Sequence, residues 1–164
     1  MQSLRVAVAA SVTMALAAVD LVAQNPQGRG PFRVGQREIA FSNPYAGSAS
    51  IPCFVSYPGK TPIKDADLDR RGAPYPVIVF GHGYGALGTN YRNLAEHFAS
   101  WGFVFVAPNT FQHGPITSQS LDMQALTKIL RDEGSRRSSF FAAAVDTNHL
   151  GVSGHSMGAG AAAG

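Results

Sequence analysis

The stretch GVSGHSMGAGAAAG, Gly151 to Gly164, decides how this chain is read. Inside it, Gly154-His155-Ser156-Met157-Gly158 has the spacing G-x-S-x-G. Such pentapeptides occur often by chance, so the flanks carry the meaning: HLGVSG before it reads as a short strand, and SMGAGAAAG runs into a helix. A turn that tight has no space for a Cβ at 154 or 158, and it strains the backbone of the residue between them so that its side chain stands above the sheet. The first amides of the following helix then face that side chain. Ser156 is accordingly the candidate nucleophile, and Gly154 and Gly158 are the glycines that shape its turn. The competing reading is a structural turn that merely contains a serine.

Upstream, the chain alternates strand and helix. PVIVF is an apolar run of the kind covered on both faces of a sheet, and it ends in the glycine-rich GHGYGALG. Tyr91, Leu94, Ala95 and Phe98 then recur at helical spacing, with Asn90 as the expected N-cap and Gly102 near the stop. GFVFVAPNT is a second buried strand. A polar loop, FQHGPITSQS, leads to a helix in which Leu121, Ala125, Leu126, Ile129 and Leu130 share a face, with Ser120 expected to cap it and Gly134 to end it. SSFFAAAVD fits helix or loop. Earlier still, FRVGQREIAFSN and IPCFVSYPG predict an antiparallel pair at the edge of a sheet. The fold class is therefore α/β, with a mostly parallel, doubly wound sheet.

Ligands of open α/β sheets bind at the carboxyl ends of the strands, where FGHGYG lies. Its glycines let the backbone approach a bound group, and an amide there could pair with that of Met157 to hold the oxyanion of a tetrahedral intermediate. His82 reads as a hydrogen-bonded strut of this loop rather than as a base. Tyr84 reads equally as an aromatic wall of the loop and as a lining of the acyl side of a cleft.

PVIVFGHGYGALGTNYRNLAEHFASWGFVFVAPNT followed by VDTNHLGVSGHSMGAG resembles the α/β-hydrolase superfamily, in the branch of cutinase-like polyester hydrolases, chlorophyllases and dienelactone-hydrolase-like esterases. The resemblance runs from about Phe32 to Gly164. It implies that Ser156 is the nucleophile and that the backbone amides of Tyr84 and Met157 form the oxyanion hole. It also implies a substrate-clamping ring at Tyr84, a structural aspartate at Asp146 ahead of the strand that leads to Ser156, and no role as base for His155. In such hydrolases the acid and the histidine follow the serine along the chain, whereas His97, His113 and His149 all precede it and read as surface or capping residues. The expectation is thus an N-terminal portion of a longer domain, truncated after the nucleophile turn, with roughly a hundred residues to follow.

The implied function is a secreted serine hydrolase that cleaves small-molecule or polymeric carboxylic esters through an acyl-enzyme on Ser156. An exported α/β-hydrolase-fold domain that only binds is the alternative. No metal or organic cofactor is expected.

Composition agrees with a single exported domain. The 164 residues are 45% hydrophobic and 14% charged, as in a chain that buries a core. Arg5 followed by the apolar run Val6 to Val19 and the small Ala23 predicts a signal peptide over residues 1–23, with residues 24–164 forming the mature domain in the periplasm or outside the cell. The run is shorter than the roughly 20 residues a membrane span needs, so no stable anchor is expected once it is removed. Net charge is +3 with no basic run interleaved with aromatics, which excludes a nucleic-acid partner as the main reading. Cys53, the single cysteine, reads as a buried thiol. Asp65, Asp67 and Asp69 have the spacing of a calcium loop, but the glycine and the closing glutamate are misplaced, so a solvated loop is expected.

Overall fold

The computed structural model describes residues 25–110 and 115–164; the predicted signal peptide at residues 1–23 and His113 lie outside them. Among the described residues, five strands and three α-helices follow one another as β1 (Val34–Ser42), β2 (Ser50–Pro58), β3 (Tyr75–Gly81), α1 (Arg92–Ser100), β4 (Val104–Pro108), α2 (Ile116–Ser135), β5 (Val145–Gly154) and α3 (Met157–Ala163). The strands form one sheet in the order β1-β2-β4-β3-β5. The expected antiparallel pair forms at one edge, in register from Val34 opposite Pro58 to Ser42 opposite Ser50. β2 is antiparallel to β4 as well, and β4, β3 and β5 are mutually parallel. The sheet is therefore parallel where strands alternate with helices and antiparallel where the sequence runs strand to strand.

Alternation along the buried strands fills two separate cores. Val55, Val77, Val79, Val104 and Val106 point to one face and pack with Met123, Leu126, Ile129 and Leu130 of α2 and Ala161 of α3. Phe54, Phe80, Phe105 and Ala107 point to the other, where Ala95 of α1 and the partly buried Tyr91 and Phe98 cover them. Helices thus lie on both faces of the sheet, as a doubly wound fold requires. Each fully buried Val or Phe on these faces stabilises by roughly 1.5–3 kcal/mol relative to exposure.

Several helix ends differ from the sequence expectation. Tyr91, not Asn90, is the N-cap residue of α1, because residues Gly88–Tyr91 form a short 3-10 turn in which Asn90 Oδ1 accepts from Leu87 N at 2.7 Å. α2 begins after Pro115 and takes in ITSQS, so Ser120 is an interior residue and not its cap; Gly134 likewise lies inside its last turn. The extension brings Gln119 and Asp122 into the core while Leu121, expected on the apolar face, is 41% exposed. Asp122 accepts from the Ser48 amide at 2.8 Å and the Ser48 hydroxyl at 2.9 Å, tying the β1–β2 connection to α2. Of SSFFAAAVD, residues 138–144 are turns and Val145 and Asp146 open β5.

β5 is longer than HLGVSG. Regular pairing with β3 nevertheless starts at Leu150 opposite Val77, because the single residue Pro76 faces Asp146 to His149. Pro76 has no N–H to offer the ladder there. Asp146 holds the bulge, accepting from Asn148 N at 2.9 Å and meeting His149 Nδ1 at 2.7 Å. Asp146 is therefore inside the strand and not ahead of it, and the His149 contact, followed by that of Asn148, lowers its carboxyl pKa.

The loop between β2 and β3 sends each of its aspartates to a different cation: Asp65 to Arg37 at 3.4 Å, Asp67 to Lys60 at 3.2 Å and Asp69 to Arg71 at 2.7 Å. Cys53 is 1% exposed, and burial, followed by the charge of Asp122, pushes its thiol pKa well up, which suits a packing residue rather than a nucleophile.

Candidate active site

The carboxyl ends of β3 and β5 lie side by side, with Gly81 opposite Gly154. Beyond them the chain turns so sharply that backbone meets backbone. A Cβ at Gly158 would stand 2.1 Å from Gly81 O and 2.7 Å from His82 O, and one at Gly154 would stand 2.3 Å from the Gly158 carbonyl. Both positions therefore exclude any larger residue, for the reason the sequence suggests. His155 N donates to Gly81 O at 3.0 Å, and Gly158 N to His155 O at 2.9 Å, closing the turn.

Ser156 sits at the apex with φ 53° and ψ −118°, immediately before α3, and its side chain is exposed. A positive φ on a residue with a Cβ costs on the order of 1–3 kcal/mol. Here the surrounding glycine contacts and turn hydrogen bonds impose it. Met157 is the first residue of α3, so its N–H has no intrahelical acceptor.

The loop after β3 is fixed just as closely. His82 is fully buried and its Nδ1 lies 2.9 Å from Gly83 O. Its carbonyl accepts from Gln119 Nε2 at 3.1 Å. His82 is thus the strut expected. Gly83 N donates to Tyr91 Oη at 2.9 Å, and the same hydroxyl meets His155 Nδ1 at 2.9 Å. Gly83 is closely approached, since a Cβ would stand 3.1 Å from His155 Nδ1 and the ring would have to give, whereas Gly85 is open but has φ +70°. Between these glycines Tyr84 is 64% exposed, on the loop that Gly83 joins to His155.

Ser156, Met157, Gly154 and Gly158 are therefore brought together with the 81–84 loop. His97 and His149 are not. His149 is engaged with Asp146 at the far end of the β5 pairing, and His97 lies in the last turn of α1. No described histidine hydrogen-bonds Ser156 Oγ. A cavity of about 760 Å³ lined by Lys60, Arg70, Arg71 and Phe140 lies near the amino end of β3, whereas Ser156 follows the carboxyl end of β5, and none of these four residues belongs to this constellation.

Tyr91 and Gln119 are the residues that sequence reasoning missed. Tyr91 was legible only as an apolar position of a helix face, and its hydroxyl acts across to another loop. Gln119 fell in a stretch that reads as polar loop, and nothing in its pattern marks it as buried.

The family model described as Chlorophyllase matches residues 62–163, which span β3, β4, β5, all three helices and the Ser156 turn. No curated protein matches the chain.

Proposed function

The chain belongs to the chlorophyllase family, ester hydrolases of the α/β-hydrolase superfamily, and from that premise we propose that it is a serine carboxylic-ester hydrolase with Ser156 as nucleophile. The observation that carries the reading is the strained backbone of Ser156, φ 53°, held between two glycines that backbone contacts prevent from being anything else. Strain of this kind persists where surrounding structure enforces it, and it clusters at reactive residues.

In the proposed reaction Ser156 Oγ adds to the ester carbonyl carbon while its proton passes to a base. The carbonyl π electrons move onto oxygen, and the Tyr84 and Met157 amides stabilise that oxyanion. Collapse of the intermediate breaks the bond to the alcohol, which leaves with a proton, and water then adds to the acyl-enzyme in the same way. In hydrolases of this chain order the base is a histidine that follows the serine, and the proposed reaction assigns that role to none of His82, His97, His113, His149 and His155. The exposed Tyr84 ring beside the turn supports an ester with an apolar portion, of the waxy or polymeric kind. The sequence of residues 1–23 supports export to the periplasm or beyond.

A fluorophosphonate probe tests the reading. The expected result is labelling of the protein at Ser156 and Ser156-dependent hydrolysis of a short-chain nitrophenyl ester. Absence of both would favour the non-catalytic binding domain.

A further inference from the structure

We propose that Tyr91 is a positioning residue that locks the 83–84 loop to the nucleophile turn through its hydroxyl. The proposal rests on the reading of Ser156 as nucleophile and of the Tyr84 amide as an oxyanion donor. Its basis is a single hydrogen-bond chain linking the two halves of that site: Gly83 N to Tyr91 Oη at 2.9 Å, and Tyr91 Oη to His155 Nδ1 at 2.9 Å.

The neighbours of this chain determine what it does. Gly83 N is one residue from the Tyr84 amide, and His155 is one residue from Ser156. A shift of the phenol therefore moves both a proposed oxyanion donor and the nucleophile. Other main-chain and ring groups at this corner are already committed, His82 Nδ1 to Gly83 O, His82 O to Gln119, and Gly81 O to His155 N, while His82 Nε2 and Gln119 Oε1 are buried without a partner. Tyr91 supplies the connection of the Gly83 amide.

A phenol carries one hydrogen. Its oxygen accepts from Gly83 N through a lone pair and still pairs with His155 Nδ1, so that one hydroxyl serves both bonds and each polarises the other. The ring of Tyr91 is held by packing, 4.8 Å from Phe80 and 5.9 Å from His155 between centroids, so the hydroxyl is presented from a fixed base in the core. α1 starts directly after it, which fixes its backbone as well.

The role is distinct from binding substrate. An oxyanion donor must be placed where charge develops in the transition state, so its misplacement lowers kcat and leaves ground-state binding largely unchanged.

Tyr91→Phe in the whole protein keeps the ring and removes only the hydroxyl. With nitrophenyl acetate, a kcat lower by about tenfold with KM within about twofold is expected, since misplacing catalytic groups by about 1 Å can cost up to about a hundredfold. In parallel, amide hydrogen exchange at Gly83, followed by NMR, should accelerate about tenfold as its acceptor is lost. His155→Phe, at an exposed position, removes the other end of the chain and should give a smaller fall in kcat, about threefold, and it serves if Tyr91→Phe does not fold. Unchanged kcat in an active protein overturns the proposal. So does unchanged exchange at Gly83, and that measurement holds even if the wild-type protein shows no Ser156-dependent turnover, in which case it is the hydrolase reading that fails.

Discussion

The two ends of the parallel strands are held by opposite means. At the carboxyl end, Gly81, Gly154 and Gly158 bring main chain against main chain, and no atom can be added. At the amino end, the loop from Lys60 to Gly72 is fastened by side chains reaching for charges: Arg37 to Asp65, Lys60 to Asp67, Arg71 to Asp69, and Arg70 to the carbonyls of Phe140 and Ala142. Backbone contacts fix position to fractions of an ångström because nothing in them can rotate away. Exposed ion pairs give way at little cost. The end that presents Ser156 is built by the first method.

The sharpest way to break this contrast is to add one methyl group. Gly158→Ala should destabilise by more than about 3 kcal/mol, above the usual range for overpacking, since its Cβ would meet the fixed Gly81 carbonyl and no side chain can yield. Denaturant melts would show it, and a loss below about 1 kcal/mol would mean that the turn is not as rigid as described. Ser156→Gly acts in the opposite direction. It relieves the positive φ and should stabilise by about 1 kcal/mol while abolishing the proposed esterase activity, so that thermal stability and turnover move apart.

At the other end the effects are smaller. The Arg71 side chain, through its hydrogen bond first, holds the Asp69 carboxyl at about 2, below its ordinary 3.8. A depressed folded-state pKa contributes stability that is fully present above the ordinary value and lost as pH falls toward 2. Urea midpoints should therefore drop between about pH 4 and pH 2 in the wild type, and less steeply in Asp69→Asn. The Arg71 side chain is 90% exposed, so added salt should flatten the difference. Smallest of all, Lys60→Ala should change stability by less than about 1 kcal/mol, because its pair with Asp67 is exposed on both sides.

The same contrast explains what was legible in the sequence. Contacts made by backbone leave glycines, and glycines are visible: Gly154 and Gly158 could be assigned their roles from spacing alone. Buried strands such as PVIVF and FVFVAP are legible because both faces are covered, so every position is apolar. Contacts made by side chains over long separations leave no such mark. Tyr91 reaches His155 across 64 positions and Gln119 reaches His82 across 37, and in each case the residue type fits its local element equally well without the contact. The start of α2 was obscured for another reason. No side chain caps it, and its first turn, ITSQS, is polar enough to pass for loop. The sequence predicts β5 only from His149, because the first residues of the strand bulge away from β3 and carry no alternating pattern.

The bulge at Asp146 to His149 has a consequence for how the chain tolerates changes in length. Strand pairing has a period of two, so one residue inserted in a regular strand inverts every side chain after it. Here the connection from α2 enters β5 through four residues set against one, and Leu150 to Gly154 then run in step with Val77 to Gly81. Slack upstream is taken up before it reaches Ser156. Insertions or deletions between Ser138 and Asn148 should leave the phase of Ser156 intact, while a single residue added between Leu150 and Gly154 should turn it to the wrong side of the sheet.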